Sequence, residues 1–143
     1  MLTKEIELIF MSHGHLSEEM LASTHMIIGD LAVAKTLAME AEDGLAGTQA
    51  KLAELLPENN QQPVLILADL KGGTPCNVGM LAMKDYPNLR VVSGLNLAMA
   101  IEACVATSTQ VDELAEYLQQ IGKEAVLNIP SPTITDDDEE YEE

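Results

Sequence analysis

The chain has no tryptophan, one phenylalanine and three tyrosines in 143 residues. Its core must therefore be built from Leu, Ile, Val, Ala and eight Met. Basic residues are scarce: seven Lys and Arg stand against 24 Asp and Glu, for a formal net charge of −17. Nucleic-acid phosphates and anionic membrane surfaces both require basic patches, so this balance argues against either as a partner. Only Cys76 and Cys104 are present, in apolar or loop contexts, so buried free thiols are the plain reading and no disulfide is implied. No apolar run approaches the roughly 20 residues of a membrane span. Thr3-Lys4-Glu5 leads straight into the first apolar segment without a signal-peptide pattern, so a cytoplasmic protein is expected. Three further patterns are missing: G-x-G-x-x-G after the first strand, a Walker A loop, and a G-x-S-x-G elbow. Nucleotide-binding and serine-hydrolase readings are weak for that reason.

What is present reads as one domain with alternating strands and helices. Ile6–Met11 is nearly continuous in apolar character, as in a strand covered on both faces. Ser17 offers a helix N-cap, and Met20, Leu21, Thr24, Ile27 and Ile28 recur at helical spacing up to Gly29. Residues 31–56 suit one Ala-rich helix by propensity, but an alternating architecture calls for a short strand over 33–39 and a helix over 43–56. Val64–Ala68 is the clearest buried strand. Pro75 suits the first position of a helix reaching about Lys84, and Leu89–Ser93 is another strand. Helices follow through about Ala106 and over Thr109–Ile121, with a short strand expected over Ala125–Ile129. Strands and helices alternating in this way predict an α/β three-layer sandwich with a mostly parallel central sheet. The domain spans 1–130. Residues 131–143 form an acidic tail, with seven acids among the last eight residues, expected to be solvated and disordered.

Two strand ends hold the chemistry. Ile9-Phe10-Met11 runs into Ser12-His13-Gly14-His15, and Leu65-Ile66-Leu67-Ala68 runs into Asp69-Leu70-Lys71-Gly72-Gly73-Thr74-Pro75. In an open parallel sheet the loops after the strands share one edge, so His13 and Asp69 are expected to touch. An imidazole beside a helix N-terminus can be a general base, a metal ligand or a nucleophile. An aspartate on one ring nitrogen would fix the tautomer and leave the other lone pair facing outward. Ser12 and Gly14 on one side, and Gly72, Gly73 and Thr74 on the other, form two candidate phosphate cradles. This set fits a phosphohistidine better than a hydrolase triad. His15 reads as a rim residue and His25 as a helix-surface residue. No zinc spacing is found, and neither metal nor cofactor is expected.

Ser12-His13-Gly14, Asp69-Leu70-Lys71-Gly72-Gly73-Thr74-Pro75-Cys76-Asn77 and Gly94-Leu95-Asn96-Leu97-Ala98-Met99 occur in this order over residues 5 to about 126. Jointly they resemble the IIA component of the mannose family of the bacterial sugar phosphotransferase system. The resemblance implies that His13 is phosphorylated by phospho-HPr and discharged to a IIB component, serving the IIC/IID membrane transporter indirectly. It also implies that Asp69 holds His13, that Thr74 lies near the phosphoryl group, and that a homodimer forms by exchange of a C-terminal strand, for which Ala125–Ile129 is available. His15, Lys71 and the acidic tail depart from the family pattern. Three alternatives stand beside this reading. They are the phosphocarrier subunit of a dihydroxyacetone kinase, a regulatory domain phosphorylated to signal sugar status, and a metal hydrolase using His13, His15 and Asp69. The sugar is not legible, because nothing in this chain contacts it.

Overall fold

The computed structural model describes residues 5–133. Four parallel strands form one sheet in the order β2-β1-β3-β4. They are β1 (Glu7–His13), β2 (Lys35–Met39), β3 (Val64–Ala68) and β4 (Leu89–Ser93). The helices are α1 (Leu16–Ile28), α2 (Gly44–Leu55), α3 (Thr74–Ala82), α4 (Leu97–Val105) and α5 (Val111–Glu124). A 3-10 turn, Gly29–Leu31, connects α1 towards β2.

Side chains alternate across each strand, and that alternation divides the core into two layers. Leu8 and Phe10 of β1, with Leu65 and Leu67 of β3, pack under α1, α4 and α5, joined by Met99, Ala100, Leu114 and Leu118. Ile9 and Met11, with Val64 and Ile66, face the opposite way and meet Leu52 of α2 and Val78 of α3. All of β3 is buried, which explains its unbroken apolar sequence. Fully burying one such aliphatic side chain stabilises the fold by about 1.5–3 kcal/mol. Gly79 of α3 permits close packing on the sheet, since a Cβ there would lie 3.2 Å from Val91 Cγ2 and 3.3 Å from Ile66 Cδ1.

Several expectations require correction. The strand expected over 33–39 forms but begins at Lys35. Sheet pairing with β1, Ile9 to Lys35 through His13 to Met39, overrides the helical propensity of this stretch. Ser17 is not the N-cap of α1. His15 occupies that position, and Ser17 lies buried in the first turn, where its hydroxyl donates to the Leu37 carbonyl. Pro75 is the second residue of α3 rather than the first, and that helix ends at Ala82 before two tight turns. α4 stops at Val105, and α5 runs from Val111 to Glu124.

Ala125 caps α5, and residues 126–130 form no strand within the chain. Val126, Leu127 and Ile129 are exposed, and β4 is an edge strand among the described residues. Most of the acidic tail falls outside the described residues.

The topology places the site. The chain leaves β1 through α1 to β2 on one side, then crosses back over β1 to β3 on the other. The β1–α1 and β3–α3 loops therefore diverge to opposite faces, which opens a crevice at the ends of β1 and β3.

Candidate functional site

β1 is buried from Leu8 to Ser12, and the side chain of its last residue, His13, emerges 44% exposed. The next strand continues the ladder by one bond, with the Asp69 N–H donating to the Met11 carbonyl at 3.0 Å. That register sets the Asp69 carboxylate beside His13. The His13 backbone N–H donates to Asp69 Oδ2 at 2.9 Å, and ring Nδ1 lies 3.0 Å from the same oxygen. An ionised carboxylate only accepts, so Nδ1 carries the proton and Nε2 is left with its lone pair. Asp69 Oδ1 is buried and has no partner among the described residues. His13 is thus the whole hydrogen-bonding environment of this carboxylate. The carboxylate stands where it can offset positive charge arising on the imidazole during a reaction.

The β3–α3 loop closes on the ring. Gly73 N–H donates to the Leu70 carbonyl at 3.1 Å, and Gly72 has φ +82°, the combination of a type II turn. Asn77 of α3 clamps the turn, its Nδ2 donating to the Gly72 carbonyl at 3.2 Å and its N–H to the Gly73 carbonyl at 2.9 Å. A Cβ at Gly73 would lie 2.6 Å from His13 Cε1 and 3.2 Å from Nε2. Only glycine therefore leaves the Nε2 edge of the ring open. The hydroxyl and N–H of Thr74 and the N–H of Cys76 have no partner among the described residues. They are the orphan donors that the first turn of a helix offers to an anion.

The opposite loop differs from expectation. Ser12 is fully buried, accepts a hydrogen bond from Ser17 N–H at 2.7 Å and donates to the Gly14 carbonyl at 3.0 Å. Gly14 N–H is spent on the Met39 carbonyl at 2.8 Å. The Ser12 hydroxyl and the Gly14 N–H are thus engaged in bonds that shape the loop. Gly14, at φ +58°, adopts the left-handed turn that brings the chain from β1 into α1.

His15 belongs to a different set of contacts. Nδ1 lies 2.9 Å from Glu18 Oε1 and Nε2 lies 3.5 Å from Glu40 Oε2. The hydrogen bond to Glu18, then the charges of Glu18 and Glu40, hold its pKa above the ordinary histidine value. In the same loop, Asp43 is held below the usual carboxylate range by its hydrogen bond to Lys51 and then by Glu40 N–H. With His15 turned towards Glu18 and Glu40, the trio of the metal-hydrolase alternative is not assembled. Among the described residues no group of three or more His, Cys, Asp and Glu is placed to hold a metal ion. His25 lies on the surface of α1, 3.4 Å from Asp30. Among the described residues Cys76 and Cys104 form no disulfide, and Lys71 is exposed at the tip of the turn facing His13.

Asn77, Glu18 and Glu40 were missed as functional neighbours by sequence reasoning. The four-residue step from Gly73 to Asn77 is a helical spacing that could have flagged the first. Glu18 stands three residues after His15 on a helix, while Glu40 reaches it only through the pairing of β1 with β2.

Fold and site together define an α/β domain with a carboxylate-held histidine at the β1/β3 switch point. The profile of the family described as "PTS system fructose IIA component" matches residues 7–121. The chain is 30% identical over 134 residues to the sorbose-specific EIIA component of the phosphotransferase system of Klebsiella pneumoniae, covering 93% of this chain and 98% of that one. It is 27% identical over 127 residues to the mannose-specific EIIAB component of Escherichia coli strain K12, where the match spans 85% of this chain and 38% of the relative. Among solved structures, the mannose/sorbose-specific IIA subunit from Enterococcus faecalis superposes with a TM-score of 0.88 at 62% identity, covering 92% of this chain and 99% of that one. The chain belongs to the mannose-type IIA family of the sugar phosphotransferase system, a family of phosphotransfer proteins.

Proposed function

We propose that the chain carries a phosphoryl group on Nε2 of His13, taken from phosphorylated HPr and passed to a IIB component during sugar uptake. One observation carries the reading: Nδ1 is held by Asp69 while Nε2 stays open beside the missing side chain of Gly73. In the step proposed, the Nε2 lone pair forms a bond to phosphorus as the bond from phosphorus to the donor's histidine nitrogen breaks. The electron pair of that bond returns to the donor ring. The Nδ1 proton stays on His13, facing Asp69, which offsets the positive charge arising on the ring. The reaction then depends on alignment and charge stabilisation, for which the Thr74 hydroxyl and the amides of Thr74 and Cys76 are the available donors. Family membership supports this reading over a dihydroxyacetone kinase subunit.

No helix among the described residues is long and apolar enough to cross a membrane. We place the carrier in the cytoplasm, with the IIC/IID transporter reached only through IIB. A homodimer follows if residues 126–130 of one copy pair with the exposed edge of β4 in another. The exposed Val126, Leu127 and Ile129 support that arrangement.

Incubation with phosphoenolpyruvate, enzyme I and HPr, followed by intact-mass analysis at alkaline pH, tests the function. The expected product carries one acid-labile phosphate that is absent in His13→Ala. No added mass under conditions that phosphorylate another IIA protein would overturn the proposal.

A further inference from the structure

His15 is two residues from the reactive histidine, yet its ring faces carboxylates on both sides. Glu18 belongs to the first turn of α1, whereas Glu40 follows β2 and opens the β2–α2 loop. A neutral imidazole has one N–H and can donate to only one of them. Only the imidazolium is attracted by both, by Glu18 through a hydrogen bond and by Glu40 through its charge 3.5 Å away.

Glu40 is itself fixed: its N–H donates to Asp43 Oδ2, and Asp43 is paired with Lys51 at 2.7 Å. The backbone repeats the link, because Gly14 N–H donates to the Met39 carbonyl. The loop that carries His13 is therefore tied to the β2–α2 loop at two adjacent points. One is neutral and permanent; the other is ionic.

The charges around this point explain why a cation belongs there. Glu18 and Glu19 stand in the first turn of α1, and Glu40 faces the ring from the end of β2. Beyond it lie Glu42, the Asp43–Lys51 pair, and the His13–Asp69 pair on the other side. A phosphoryl dianion arriving at His13 must approach this rim. Unneutralised, Glu18 and Glu40 would repel it.

We infer that His15 is a positioning residue, whose imidazolium neutralises Glu18 and Glu40 and holds the β1–α1 loop against the β2–α2 loop for phosphoryl transfer at His13. This inference rests on the carrier function proposed above. The raised pKa is consistent with the geometry and sets the direction of the pH dependence. A group whose folded pKa is raised contributes fully below its ordinary value, here 6.5, and loses that contribution as pH rises through the folded value. The clamp is closed below the His15 midpoint and opens as pH rises through it.

Two measurements on the full chain test this. NMR titration of the His15 ring should find a midpoint above the ordinary histidine value, with a lower midpoint in Glu40→Gln and in Glu18→Gln. A midpoint unmoved by both substitutions would overturn the clamp. Initial rates of phosphoryl acceptance from phospho-HPr should fall about threefold in His15→Gln below the His15 midpoint, the size expected of an exposed ion pair. The ratio of wild-type to His15→Gln rates should approach one above that midpoint. His15→Arg, with its permanent charge, should keep its advantage over His15→Gln there. A ratio independent of pH, or equal to one throughout, would overturn the role in transfer. If the wild type accepts no phosphate, the carrier function fails and the role of His15 in transfer fails with it, while the titration still reports on the clamp itself.

Discussion

His13 and His15 are separated by one glycine and offer a comparison within a single loop. His13 has one ring nitrogen on a buried-side carboxylate and the other free, with Gly73 closing on its edge. His15 has Nδ1 hydrogen-bonded to Glu18 and Nε2 3.5 Å from Glu40, both exposed carboxylates. The first arrangement suits a nucleophile, because the tautomer is fixed and one lone pair faces outward. The second suits a charge, because a carboxylate faces each ring nitrogen. The same residue type is thus turned to two purposes by what the neighbouring strands supply. β3 brings Asp69, buried on one oxygen, while β2 brings Glu40, half in solvent.

The sharpest way to break this comparison is to remove each histidine in turn. His13→Gln should abolish phosphate acceptance without lowering thermal stability appreciably, since the side chain is 44% exposed and the backbone N–H still donates to Asp69. Labelling retained in that variant would give the role to another residue.

Next in size are the two groups that shape the nucleophile. Gly73→Ala should slow transfer by about 10²-fold, because its Cβ would collide with the His13 ring and misplace Nε2. Asp69→Asn should cost about 10²-fold as well, through loss of the fixed tautomer and of the charge opposite the imidazole. Rapid-quench rates from phospho-HPr would measure both, and a wild-type rate in either would remove its assigned part.

Asn77→Ala should cost about fivefold in the same assay, since it frees the Gly72–Gly73 turn by removing a side-chain bond worth about 1 kcal/mol. The smallest effect is expected from salt. Raising ionic strength towards 1 M, where the screening length is about 3 Å, should lower the His15 midpoint towards its ordinary value. The bond between His13 and Asp69, seen by its ring-proton shift, should change little.

Much of this was legible in the chain. Apolar runs ending in His13 and Asp69 marked the two strands, and their loops shared an edge because open parallel sheets require it. The pairing of His13 with Asp69 followed from those two stretches, whereas the approach of Gly73 to the His13 ring emerges only in the fold. Helix boundaries were less legible: Ser17 resembles an N-cap in sequence, but the sheet takes its hydroxyl. The polar groups of Ser12 and Gly14 look available in the chain and are consumed by contacts to Ser17 and Met39. β2 was obscured because its Ala- and Leu-rich stretch has helical propensity, and pairing with β1 decides the matter. Glu40 could not be assigned to His15 before that register was known.

The measurement that bears most directly on the central claim is phosphorus–nitrogen correlation NMR of the chain, ring-labelled at histidine and loaded from phospho-HPr. The account predicts one phosphoryl group, on Nε2 of His13, with Nδ1 still protonated and facing Asp69. Phosphorus bound to Nδ1 of His13, or to His15, would contradict it.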